Sequence, residues 1–185
     1  TSWEKDLPNS TSGIATFTLE TFSGSNSVGS KSVNATIKVR SGVVPSIDSI
    51  KITDANSVCA GIGQIVQSQS RLNFAITYSG AQGSTVTSVS TKFEGQTYNG
   101  SSFTTGTVQG SGSISYTTTI YDSRGRSSQV SGKVTVSAYS SPRLTNVTAK
   151  RANSSYVVDE ASGTYALLHF KVGFTSLTGK NATSF

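Results

Sequence analysis

The chain has 185 residues, of which 13% are charged, and Ser and Thr together supply 60. Low charge and abundant Thr and Gly fit short strands with polar outer faces, not helices. A single Cys excludes an intrachain disulfide, and no apolar run approaches the ~20 residues of a membrane span.

The first alternating segment is Ala15, Phe17, Leu19, followed by Val33, Ala35, Ile37, Val39. Both recur ninety-seven residues later, as Gly112, Ile114, Tyr116 and Val130, Gly132, Val134, Val136. The join repeats as well: Ile47-x-x-Ile50-x-Ile52 after Pro45 becomes Leu144-x-x-Val147-x-Ala149 after Pro142, where 142 − 45 = 97. The loop Ala55-Asn56-Ser57 returns as Ala152-Asn153-Ser154. That spacing is close to the roughly 100 residues of an immunoglobulin-like sandwich. The alternation argues against disorder despite the Ser-rich composition. The fold class expected is all-β: tandem immunoglobulin-like (fibronectin-III-like) β-sandwich domains. Residues 1–43 supply the closing strands of one unit, 44–139 a complete sandwich, and 140–185 the opening strands of another.

Within the complete unit, Ile47 to Thr53 is the first strand, its change from spacing three to spacing two marking a bulge or a change of facing sheet. A Gly-containing loop from Asp54 to Gln69 follows, with a short edge strand near Ile62–Val66. The clearest strand sets Leu72, Phe74, Ile76 and Tyr78 on one face. Its counterpart is Leu168, Phe170, Val172 and Phe174, at an offset of ninety-six. Val86 to Phe93 leads into Glu94–Gly100, where Asn99-Gly100 carries the signal of a type I′ turn. Phe103 to Val108 pairs next. A last hairpin runs up from Ile114 to Ile120 and down from Val130 to Val136, with Asp122-Ser-Arg-Gly-Arg126 at its tip. Asp122 is expected to hold the tip amides and Gly125 to take the left-handed position. Seven or so strands and no helical segment make the sandwich.

At the two ends of the chain, two strands alone cannot bury an apolar face. The Leu168–Phe174 stripe is expected to need covering, by further sequence or by another copy of the chain.

The hairpin Tyr116-Thr-Thr-Thr-Ile-Tyr-Asp-Ser-Arg-Gly-Arg-Ser-Ser128, continuing through Gly132-Lys-Val-Thr-Val136, resembles the Asp-Ser-x-Gly-Arg-Ser hairpins of immunoglobulin-like modules in siphophage minor structural and tail proteins. The link Ala138-Tyr-Ser-Ser-Pro-Arg-Leu144 looks like the joint between such modules. The first unit departs from the pattern, with Ser25-Asn-Ser-Val28 in place of the Asp-Ser-x-Gly tip. The resemblance implies a virion structural part in the tail or baseplate of a phage with a Gram-positive host. It brings no catalytic residues. Other tail proteins are the partners it implies.

The residues themselves argue against enzymatic chemistry. His169, the one histidine, lies between Leu168 and Phe170 and points away from their face. Cys59 sits in a loop with no histidine near it in sequence. Glu94 and Asp122 form no glycosidase signature, and Gly61-Ile62-Gly63 is too short for a phosphate loop. Asn34-Ala-Thr36 and Asn146-Val-Thr148 read as chance glycosylation triplets in Ser/Thr-rich sequence. No cofactor or metal is expected. The net charge of +6 is dispersed over Lys38, Arg40, Lys51, Arg71, Lys92 and Arg143 without interleaved aromatics, so nucleic acid is not a partner, nor is a membrane. Trp3-Glu-Lys-Asp6 does not open a signal peptide, and with Met absent Thr1 is expected to lie inside a longer polypeptide.

Binding candidates are Tyr98 with Asn99, as a platform for a sugar of the host cell wall, and the tip residues Arg124 and Arg126, for anionic wall polymers. The plainer alternatives are a Tyr packed on its own sheet and solvent-exposed tips that aid solubility. Two function classes result: a spacer and interaction unit of a virion, oligomeric or not, and an adhesive carbohydrate-binding module of a bacterial surface protein.

Overall fold

The computed structural model describes residues 3–184; Thr1 lies outside them. After a single 3-10 turn at Trp3–Asp6, strands β1 (Ser12–Ser23) and β2 (Asn26–Lys38) form a two-stranded antiparallel sheet. The central sandwich follows. One of its sheets has the order β3-β5-β8, from Ser46–Asp54, Arg71–Ser79 and Ser102–Thr107. The other has the order β4-β10-β9-β6-β7: Ile65–Val66, Ser127–Ser137, Gly112–Asp122, Val86–Phe93 and Gln96–Asn99. A second two-stranded sheet, β11 (Arg143–Ala152) with β12 (Tyr165–Gly173), closes the chain.

Period-two alternation explains the core. Leu72, Phe74 and Ile76 from β5 meet Phe93, Ile120, Val134 and Val136 from the opposite sheet, all buried. Phe74 lies at the centre, stacked on Phe103 at 4.9 Å between ring centroids, tilted against Phe93 at 5.8 Å and edge-on to Tyr116 at 5.5 Å. Tyr116 lies over Gly132, its cross-strand partner: a Cβ there would stand 2.4 Å from the phenolic oxygen. The missing side chain at 132 is what lets the ring reach the core. Thr91 and Thr118, both fully buried, satisfy each other with a 2.9 Å hydroxyl hydrogen bond across β6 and β9.

Three expectations need correcting. The segment after β3 contains a helix, α1 (Ser57–Ile62). Asn56 caps it by accepting from the amides of Val58 and Cys59, and Gly63 ends it at φ 71°. These are ordinary start and stop signals, hidden in a stretch whose glycines suggest a loop. Its repeat at Asn153 uses the same side-chain acceptor, for Ser155 and Val157, and makes a turn instead.

The hairpin turn expected at Asn99-Gly100 lies at Glu94-Gly95, where both residues take positive φ, 46° and 75°. β7 pairs back onto β6, whereas β8 pairs with β5 in the other sheet. Asn99-Gly100 is therefore a crossover between sheets.

The repeat offset also differs between the strands of the first hairpin. Phe17 pairs with Val33 and Thr118 with Val130, so the second strands are 130 − 33 = 97 apart but the first 118 − 17 = 101. The hairpin of the first unit is four residues longer than its central counterpart. In the last hairpin Leu168 pairs with Ala149, where the Asp54–Leu72 pair carried over at 97 and 96 would put it opposite Arg151. Both slips are even, so the apolar faces stay the same. The bulge expected in the first strand is present between Ile47 and Ser49, and β11 has its own between Thr145 and Thr148.

Apolar side chains on both terminal hairpins are exposed. Phe17 and Leu19 are 60% and 71% exposed, and Leu168 is 57% exposed.

Candidate functional site: the joints

The tip of the β9–β10 hairpin is built by Asp122. Its Oδ1 accepts from the amides of Arg124 (3.0 Å) and Arg126 (2.9 Å), and Gly125 takes φ 75°. This Asx arrangement aims both arginines backwards, along the chain that precedes the sandwich. Arg124 is only 8% exposed. Its Nε donates to the carbonyl of Leu7 at 2.8 Å, and its terminal nitrogens donate to the carbonyls of Glu4 (2.9 Å), Ala81 (2.6 Å) and Gln82. A planar fork of five donors suits several fixed acceptors at once. The Glu4 carbonyl also accepts from the Leu7 amide at 3.3 Å, and both carbonyls lie at the C-terminal end of the 3-10 turn, where a cation is favoured. Ser123 adds a hydroxyl donated to the Pro8 carbonyl at 2.6 Å.

Arg126 performs the same task on the linker between β2 and β3. Its guanidinium donates to the carbonyls of Val39 (2.9 Å), Arg40 and Val43 (2.6 Å). The linker is held from the other side by the buried Glu4, whose carboxylate accepts from the Arg40 amide (3.1 Å) and, in a two-pronged pair, from its guanidinium (2.9 Å each). Glu4 raises the Arg40 guanidinium above its ordinary pKa, first through these hydrogen bonds and then through its charge.

The second joint uses different chemistry at a corresponding place. Leu177 packs with Cys59 of α1, Val66 and Tyr139. Gln64 donates to the Thr178 hydroxyl, and the Ser140 amide donates to the Thr175 hydroxyl at 3.0 Å. Thr178-Gly179 has φ of 53° and 73°, and Gln82-Gly83, ninety-six residues earlier, has 49° and 85°. The same turn thus meets the preceding segment at both joints.

These contacts correct the expectation of solvent-exposed tip arginines. Arg124 is buried, and both side chains are committed to backbone carbonyls within the chain. The physical reason is that acceptors from residues 4–8 and 39–43 converge on the tip. Tyr98 and Asn99 are placed apart from this joint. Tyr98 is half-buried and stacked on Phe103 at 4.7 Å, on the far side of Phe103 from Phe74. It lines a shallow hollow of ≈ 390 Å³ with Glu94, Gln96 and Gln109. Glu94 is oriented there by the amides of Gln109 (3.1 Å) and Gly110 (2.6 Å). Asn99 is exposed at the end of β7. His169 is exposed on β12, and Cys59 is a buried free thiol in α1. Among the described residues no three His, Cys, Asp or Glu side chains cluster as a metal site would require, and no helix is long and apolar enough to cross a membrane.

Sequence reasoning missed Glu4, Arg40 and Leu177. Beside the Pro45 and Pro142 joins, the x-Gly pairs Gln82-Gly83 and Thr178-Gly179, ninety-six residues apart, were the signal for these contacts.

Fold and joints together define a class: an all-β protein of repeated strand pairs around a central sandwich, tied end to end by polar clamps and a small apolar plug. Residues 2–159 match the family described as siphovirus protein of unknown function (DUF859), and the chain belongs to that family. It is thus a phage protein, for which that family suggests a structural, virion-associated role. No curated protein matches it.

Proposed function

We propose that the chain is a non-catalytic spacer of a phage tail or baseplate, made of tandem immunoglobulin-like (fibronectin-III-like) units over residues 1–43, 44–139 and 140–185. The sheet orders β3-β5-β8 and β10-β9-β6-β7 suit such a unit. The observation that carries the reading is the clamp of Arg124 and Arg126 on the segment before the sandwich. A device of this kind resists bending between neighbours, which a spacer needs and a flexible tether does not. Its partners are other tail proteins. Gold-labelled antibody against the central sandwich should decorate the tail or tail tip of intact particles. Label confined to the head, or absent from particles, would exclude the spacer role in the tail.

The hollow beside Tyr98 favours a second reading, as an adhesive module for host cell-wall polysaccharide. One ring face is held by Phe103, and Glu94, Gln96 and Gln109 supply polar groups at the rim. Stacking of this kind contributes on the order of 1 kcal/mol. Tyr98→Ala is then expected to weaken retention on purified wall polysaccharide about fivefold. Equal retention of both proteins, or none of the wild type, removes this reading.

A further inference from the structure

β7 and β8 are edge strands of opposite sheets and meet through the rings of Tyr98 and Phe103. Phe74, Phe103 and Tyr98 form one stack from the core to the surface, with neighbouring planes 10° and 8° from parallel. Tyr98 ends the stack, half-buried, at the hollow of ≈ 390 Å³. All of these residues belong to the central sandwich.

Beside this ring the fold fixes a carboxylate. Glu94 opens the β6–β7 turn at φ 46°, a position that Asn, Asp or Gly usually fills. A residue kept in a disfavoured conformation points to a task for its side chain. The amides of Gln109 and Gly110 hold the carboxylate, and Gly110 makes room for it: a Cβ there would stand 2.9 Å from Oε1. Oε1 receives both amides, whereas Oε2 shares only that of Gln109 and keeps accepting capacity. The Gln109 side chain adds a second acceptor, since its Nε2 is committed to the Thr107 carbonyl at 3.0 Å. No Lys or Arg lines the hollow, in a chain whose net charge is +6. A pinned anion, an amide oxygen and a ring together suit a protonated amine.

We propose that this hollow takes a sugar bearing a free ammonium group, with the cation held by the Glu94 carboxylate and the Gln109 amide oxygen beside the Tyr98 ring. The proposal rests on the adhesive reading and narrows it to polysaccharides with unacetylated amino sugars.

Two short oligosaccharides of equal length, one of glucosamine and one of N-acetylglucosamine, differ only at the amino group. Calorimetric titration of the 185-residue chain in mildly acidic buffer compares them. The glucosamine oligomer should bind about tenfold more tightly, the scale of one charge-assisted contact with a ring beside it. Glu94→Gln keeps an oxygen for the two amides and should bring that ratio close to one, with the thermal transition of the sandwich still in place. Equal binding of the two oligomers, or tighter binding of the acetylated one, overturns the proposal and leaves the adhesive reading standing. A preference that survives in Glu94→Gln overturns it too, because the cation is then held elsewhere on the surface. If neither oligomer binds, the proposal falls, while retention on whole wall polysaccharide decides the adhesive reading.

Discussion

Replacing Phe74 by Ala should cost about 4 kcal/mol of unfolding free energy, on the scale found for large aromatic side chains cut back in cores. Phe74 is 1% exposed and touches three other rings, so the cavity would be lined by Phe93, Phe103 and Tyr116. These belong to β6, β8 and β9, in both sheets, and cannot all move inward without breaking ladder hydrogen bonds. A loss of this size approaches the whole stability of a modest domain. In thermal unfolding it should appear as a fall of about 20 °C in midpoint. Tyr78→Ala, at the exposed end of the same strand, should change stability by less than about 1 kcal/mol. With no disulfide to hold the sandwich, packing has to supply the difference. A Phe74→Ala loss no larger than that of Tyr78→Ala would show that the ring cluster is not the centre of stability.

The second large effect is at Arg124. Removing its side chain to Ala takes four hydrogen bonds from carbonyls at the joint, one on the 3-10 turn (Glu4) and one just after it (Leu7). Bonds from a charged donor are among the stronger ones. The Glu4 and Ala81 carbonyls keep the Leu7 and Ser84 amides as donors, whereas those of Leu7 and Gln82 lose theirs at a desolvation cost. The joint should weaken by about 2–3 kcal/mol. Release of the Glu4–Leu7 segment, whose Glu4 carboxylate holds Arg40 of the linker, would then be roughly 50-fold more frequent. Tryptic cleavage after Arg40 should accelerate by a similar factor, while the core of the sandwich stays resistant. Arg124→Lys should recover less than half of the loss, since one ammonium cannot reach four carbonyls spread around a planar fork. Unchanged cleavage in Arg124→Ala would mean that the clamp does not hold the joint, and the spacer reading would lose its main support.

The contrast between these sites explains how far the residue pattern could be read. Phe74 and its neighbours were legible because alternation along a strand is a local property: which face a side chain takes depends on its parity. The same reasoning exposed the two apolar hairpins, since the repeat shows which strands each end provides. Even slips of four and two residues in pairing left those faces correct. Asp122 and Gly125 could be placed in the tip because an Asx turn is closed within a few residues.

What needed the folded chain was everything set by contacts distant in sequence. Arg124 looks like any exposed tip until Glu4, 120 residues away, delivers its carbonyl. Turn preference alone favoured Asn99-Gly100. The turn fell instead at Glu94-Gly95, because β7 joins the sheet of β6 and β8 the sheet of β5. Strand identity is written in neighbouring side chains, whereas sheet membership and the destination of a long guanidinium are decided by which surfaces meet once the strands have packed.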